Sequence, residues 1–309
     1  MKRLILFVAA AFACAALQAQ TTQAEYLSRY NRLTEKGGVN GLGVETLISK
    51  WEKDYPDDPD MLEAKFLLYS TQSMSAQVIQ LSQDRYLGRD PLIPYTDSLG
   101  VKRNYFEDTL FDETLFAQAS KALTRAIAIR PDRLDYRCAR INYLISYEKE
   151  SPDMALVELK DLIDMTYSGS QAWHFPGVEG EVDKETFKAF MQDYCFTFFK
   201  IASPSSYEAF RQVSERMLKY EPGDPVFLDN LGSYWLVFKK DGKKALSYYN
   251  KVLKKHPDDL TALRNCVVLA RHEKNLKLEK KYLPLLIKYT DNDTERASSE
   301  ARLNAMNTK

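Results

Sequence analysis

Apolar residues recur along most of the chain at helical spacing, and the runs they form are punctuated in a common way. Four segments read Asp54-Tyr55-Pro56-Asp57-Asp58, Ile129-Arg130-Pro131-Asp132, Tyr220-Glu221-Pro222-Gly223-Asp224 and Lys255-His256-Pro257-Asp258-Asp259. In each, a periodic run ends at proline and acidic residues follow. Proline lacks an N–H and clashes with the preceding turn, so it stops a helix. An aspartate at the start of the next run can cap free amides and suits the helix dipole. The pattern predicts helices over 22–36, 43–55, 59–85, 112–129, 132–148, 152–166, 183–201, 205–221, 224–240, 242–256, 258–273, 275–290 and 293–306. The first twelve pair as six helix–turn–helix units and the last caps them. Local signals refine the ends. Ser205 and Glu208 have capping-box spacing, Ser151-Pro152 reads as an N-cap followed by proline, and Gly37-Gly38 closes the first helix. Pro284 should kink or split the twelfth.

Pro222 and Pro257 are 35 residues apart. Between them lie Leu231, Gly232 and Trp235, then Ala245, Tyr249 and Val252 on one face of a second helix. Gly232 within a helix costs about 1 kcal/mol relative to Ala; close approach of two helices, with Gly232 and Ala245 small where their backbones meet, explains its presence. Asp241-Gly242 supplies the turn. Ala119, Leu123, Ala126, Ile127 and Pro131 repeat the second half of this pattern.

These residues resemble the tetratricopeptide repeat (TPR), a 34-residue helix–turn–helix unit. The fullest copy spans about 224–258 and is one residue longer than the family's period, an excess assigned to the 239–243 turn. The resemblance covers most of 22–290 and implies an all-α, right-handed α-solenoid of antiparallel helix pairs over 20–309. In such proteins the first helices of the pairs line a concave groove that holds a protein or peptide. Carried over, the groove-facing positions include Asp229, Ser233, Arg264 and Arg271. Chaperone-binding members place Lys and Asn there to clamp a carboxylate; this chain has Asp229 and Ser233 instead.

Two insertions interrupt the helices. Residues 87–111 contain Pro91-Leu92-Ile93-Pro94-Tyr95, a turn cluster at Asp97-Ser98-Leu99-Gly100, and Val101 to Phe106, which suggests a β-hairpin with an irregular edge. Residues 167–182 contain Trp173-His174-Phe175-Pro176-Gly177. Tyr95, Trp173 and His174 are candidate contact residues, since loops and exposed aromatics often bind. The competing expectation is that the insertions fold back and bury their aromatic rings.

The N-terminus has its own pattern. Lys2 and Arg3 precede an apolar run from Leu4 to Leu17, and Leu17-Gln18-Ala19 offers a cleavage site before Gln20. The run is too short for a membrane span, which needs about 20 apolar residues. A signal peptide over 1–19 implies export to the periplasm or beyond. The alternative, a lipoprotein processed at Cys14, is disfavoured because Ala11-Phe12-Ala13 lacks the usual upstream Leu and Cys14 lies inside the run. No later segment could span a membrane.

Composition narrows the function. Lys plus Arg and Asp plus Glu number 43 each, which removes the electrostatic case for nucleic acid. After export Cys138, Cys195 and Cys266 remain, an odd number without a CxxC, and they read as buried free thiols. No HExxH, GxSxG, P-loop or GxGxxG occurs, and the three histidines are scattered. No catalytic, metal or cofactor residues are expected. The sequence therefore points to a non-enzymatic exported scaffold that binds a protein or peptide, with an outer-membrane or periplasmic complex as one candidate partner. The alternative is an extracytoplasmic enzyme or small-ligand binder that uses the inserted loops.

Overall fold

A computed structural model describes residues 21–169 and 171–308. The expected signal peptide over 1–19, and the Cys14 alternative, lie outside the described residues. Thirteen α-helices and a two-stranded antiparallel sheet occur among the described residues. They are α1 (Gln23–Gly37), α2 (Val44–Asp54), α3 (Pro59–Ser73), β1 (Met74–Leu81), β2 (Asn104–Phe111), α4 (Glu113–Ile129), α5 (Leu134–Glu148), α6 (Asp153–Ser168), α7 (Lys184–Ile201), α8 (Pro204–Tyr220), α9 (Pro225–Ser233), α10 (Gly242–Lys255), α11 (Leu260–His272), α12 (Leu276–Tyr289) and α13 (Asp293–Asn307). No helix among them is long and apolar enough to cross a membrane. The chain divides into two compact units, residues 21–77 with 109–136, and residues 78–108 with 137–308.

In the first unit, α1 opens with a capping box between Thr22 and Glu25 and ends at Gly38, whose φ of 69° is left-handed. Trp51 on α2 is fully buried. Tyr26 stacks on its ring at 5.7 Å, and its indole donates to Asp58 Oδ2 at 2.8 Å. Asp58 Oδ1 meanwhile accepts the Asp60 amide, capping α3 behind the Pro56 turn. One side chain thus ties a core ring to a helix start. Trp51→Phe removes the donor and leaves Asp58, only 4% exposed, short of a partner. A loss of about 2–4 kcal/mol in urea unfolding is expected, whereas an exposed Trp would give almost none. Against α3 lies α4, whose Arg125 reaches back to the Pro56 carbonyl and Asp57.

One expected helix is corrected. The 59–85 run stops at Ser73, and Met74–Leu81 is strand β1. Its helical-looking apolar spacing is overridden by pairing with β2, and Val78 and Ile79 are β-branched residues that suit a strand. The hairpin expected at 91–106 is present as bridges from Ile93 to Tyr105 and from Thr96 to Lys102. Asp97 organises its tip by accepting the Leu99 and Val101 amides and the Arg103 guanidinium.

In the second unit, the helices α7–α8, α9–α10 and α11–α12 pack as consecutive pairs. The first helices also touch in succession, α7 with α9 and α9 with α11, and α13 closes against α12. Asp224 and Asp259 cap α9 and α11 as the Pro–Asp pattern implies. Cys195 and Cys266 are buried between helices, and Cys138 is buried as well.

Four local expectations differ in detail. The residue in excess of a 34-residue period is not in the 239–243 turn; Tyr234–Phe238 is a π-helical segment, where the Lys239 amide bonds back five residues to Tyr234. A π turn absorbs one extra residue within a helix. Ser203, not Ser205, caps α8, with Pro204 following it, and Glu208 instead takes Arg211, Tyr234 and Lys239. Ser151 does not cap α6; the Glu148 carboxylate accepts the Met154 and Ala155 amides. Pro284 lies inside α12 without splitting it.

Candidate functional site

The four positions expected on the groove divide into two kinds. Asp229 on α9 is 5% exposed and turns into the helix stack. Its Oδ1 is buried without a hydrogen-bond partner. Burial, with the Asp259 charge nearby, pushes its carboxyl up to about 8. Ser233, one turn further, is half-buried with its Oγ 3.4 Å from the Tyr249 hydroxyl. These two residues belong to the contact between α9 and α10.

Arg264 and Arg271 on α11 are exposed. Both line a cleft of about 380 Å³ along α11 and α13, together with Val268, Asn292 and Ser298. Val268 is 53% exposed there. Arg264 grips Glu295 with two contacts of 2.8 Å, and this pairing holds the Glu295 carboxyl down at about 2. Arg271 donates to Glu279, which also takes a two-pronged contact from Arg302. Arg302, then Arg271, keep Glu279 below the usual carboxylate range despite its burial. The guanidinium groups therefore fix α12 and α13 against α11 while keeping an exposed edge in the cleft. The repeat resemblance marked both arginines; it could not show that Glu279, Glu295 and Arg302 would converge on them from elements further along the chain.

The insertion residues do not form one site. Tyr95 is 49% exposed on the hairpin, beside exposed Leu92 and Ile93. Trp173 is buried to 2% exposure, and its indole donates to Thr166 Oγ1 at 2.9 Å. Arg137 lies over its ring at 5.3 Å. His174 is exposed, with Nδ1 3.3 Å from the Gly180 carbonyl. Phe175 packs on Phe190 of α7. The second insertion thus folds back and buries its largest ring. The first is anchored too: Tyr86 and Lys149 both donate to buried Asp108, and Gly88 fits so tightly that a Cβ would stand 2.3 Å from the Lys200 carbonyl oxygen.

A cleft of about 700 Å³ beside the second insertion is lined by Arg137, Glu158, Asp161 and Asp164. Asp164 is committed to Arg216 and the Tyr220 hydroxyl, and Glu158 to Arg140. Among the described residues no group of three or more His, Cys, Asp or Glu side chains is placed to hold a metal ion.

No protein-family model matches this sequence, and no curated protein matches it either. The class that the fold defines is a mostly helical protein of helical-repeat-like architecture with one small antiparallel sheet.

Proposed function

We propose that this chain is an exported, non-enzymatic interaction protein of the TPR type, acting in the periplasm or at the cell envelope as a right-handed α-solenoid. Its first helices present the binding surface to a protein or peptide partner. The observation that carries the reading is the cleft on α11, a first helix, where exposed Val268 lies between Arg264 and Arg271. An apolar contact flanked by guanidinium groups suits a peptide with one apolar side chain and nearby carboxylates.

The test is retention of a partner from envelope extract by the purified mature chain. Val268→Glu places a charge in the cleft without touching the core. It should lower retention of that partner at least tenfold with an unchanged melting temperature. A chain that stays a clean monomer with no partner across several conditions contradicts the reading. The rival, a small-ligand binder or enzyme using the second insertion, is favoured by the 700 Å³ cleft at Arg137. The prior engagement of Asp164 and Glu158 in ion pairs weighs against it.

A further inference from the structure

The first unit carries a concentration of positive charge that the interaction reading does not use. Arg29, Arg32, Leu33 and Lys36 recur at i, i+3, i+4 and i+7, one face of α1. Gly43, Thr46, Leu47 and Lys50 follow the same rule across the start of α2. The two stripes line a cleft of about 700 Å³ together with Thr21 and Tyr26. Four cations therefore line one cleft, and among the described residues no carboxylate lines it. This is unusual for a chain whose charges balance at 43 against 43.

Most of the other arginines among the described residues are matched. Arg125, Arg133, Arg264 and Arg271 each have a carboxylate within ion-pair distance. Among the described residues Arg29, Arg32, Lys36 and Lys50 have none within 4.0 Å, though Glu25, Glu35 and Glu45 lie nearby in sequence. Glu25 is instead engaged with the Thr22 amide in the α1 capping box. The α2 N-terminus contributes its partial positive charge; Gly43 supplies no side-chain cap, and Glu45 is the acidic residue of that first turn. Leu33 and Leu47 are half-buried within the cleft and give it an apolar portion.

We infer that the α1–α2 cleft is a binding site for a phosphorylated small molecule or headgroup, its oxyanions held by Arg29, Arg32, Lys36 and Lys50. Two guanidinium forks suit the paired oxygens of a phosphate, and two ammonium groups add point charges. Thr21 and Thr46 hydroxyls can donate to further oxygens. The volume suits a ligand of sugar-phosphate size, and the leucines suit its carbon skeleton. The ligand relieves repulsion among four like charges, so binding also stabilises this unit. The site lies on other helices than the proposed peptide cleft and is tested independently of it.

The probes are inorganic pyrophosphate, followed by calorimetry at about 50 mM salt, where screening is weak, and two vesicle preparations. One preparation is phosphatidylcholine alone; the other contains phosphatidylglycerol. Pyrophosphate should bind one per chain. Arg29→Ala with Arg32→Ala should weaken it at least tenfold, and the charge-preserving pair Arg29→Lys with Arg32→Lys should weaken it less. Lys251→Ala with Lys254→Ala, which removes the same charge from α10, should leave it unchanged. Binding to phosphatidylglycerol vesicles with the same dependence on Arg29 and Arg32 identifies a lipid headgroup as the source of the oxyanion. Pyrophosphate binding without vesicle binding identifies a soluble ligand. All four targeted side chains are exposed, so the variants should fold, and their melting temperatures check this. Absence of binding to both pyrophosphate and anionic vesicles overturns the inference. So does binding weakened equally by the α10 pair, which would reduce it to general charge attraction.

Discussion

Gly232→Ala should destabilise the protein by about 2–3 kcal/mol, the reverse of what the same change does in an exposed helix. There, Ala is favoured over Gly by about 1 kcal/mol. Here a Cβ at position 232 would stand 2.3 Å, 2.7 Å and 2.8 Å from three ring atoms of Tyr249. The Tyr249 ring is fully buried, packed in a core with Ala245, Val252, Leu263 and Cys266. It cannot swing away without moving α10, and overpacking of this kind costs about 1–3 kcal/mol, occasionally more. Urea unfolding at constant m-value measures the change. A double-mutant cycle with Tyr249→Leu adds specificity. The two changes should be strongly non-additive, because the smaller side chain removes the clash. A stabilised Gly232→Ala protein would mean that α9 and α10 do not meet at this point.

The second large effect is electrostatic. Asp229→Asn should stabilise the protein by about 2–4 kcal/mol at pH 8 and by almost nothing at pH 4. The native carboxyl is pushed up to about 8 by burial, with Asp259 adding to it. In the unfolded chain it titrates near its ordinary value of about 4. The folded state therefore binds the proton more tightly. The native form carries no penalty from this group below about pH 4. It loses stability as pH rises from there towards 8, and the loss then levels off. Full conversion of the shift would exceed the range given, which allows for local relaxation and water entry. Asn keeps the shape without the charge and can donate from its amide to a neighbouring oxygen. Melting temperatures of both proteins across pH 4–9 read the effect. Parallel curves, with a constant offset at every pH, would show that Asp229 does not titrate in the folded core.

Much of the helical frame is legible in the sequence because the signals are local. Asp58, Asp224 and Asp259 cap helices behind Pro56, Pro222 and Pro257, and a proline and a capping side chain act within a few residues. Gly232 at a close helix contact is legible for the same reason, although the Tyr249 ring, and not Ala245, is what meets it. What escapes the sequence is decided by partners distant along the chain. Met74–Leu81 has apolar spacing that a helix could use, and only its pairing with Asn104–Phe111 makes it a strand. Ser205 has capping-box spacing from Glu208, but Tyr234 and Lys239 draw that glutamate away. The groove positions show the same limit. Periodicity places Asp229 and Arg264 on first helices, yet packing buries one and leaves the other exposed on Glu295. The cationic α1–α2 cleft had no signal in a net charge of zero, because it depends on which carboxylates stay out of reach.

The most direct test of the proposed function is site-specific photocrosslinking in the native envelope. A photoreactive residue at Val268 sits in the α11 cleft, and one at Val157, 58% exposed on α6, samples a second helix of a pair. The account predicts a discrete crosslinked protein or peptide from position 268 that is absent from position 157 and is lost when Arg264→Glu is added. Crosslinks from 157 but not 268, or none from either while the chain remains folded, would contradict a partner-binding surface on the first helices.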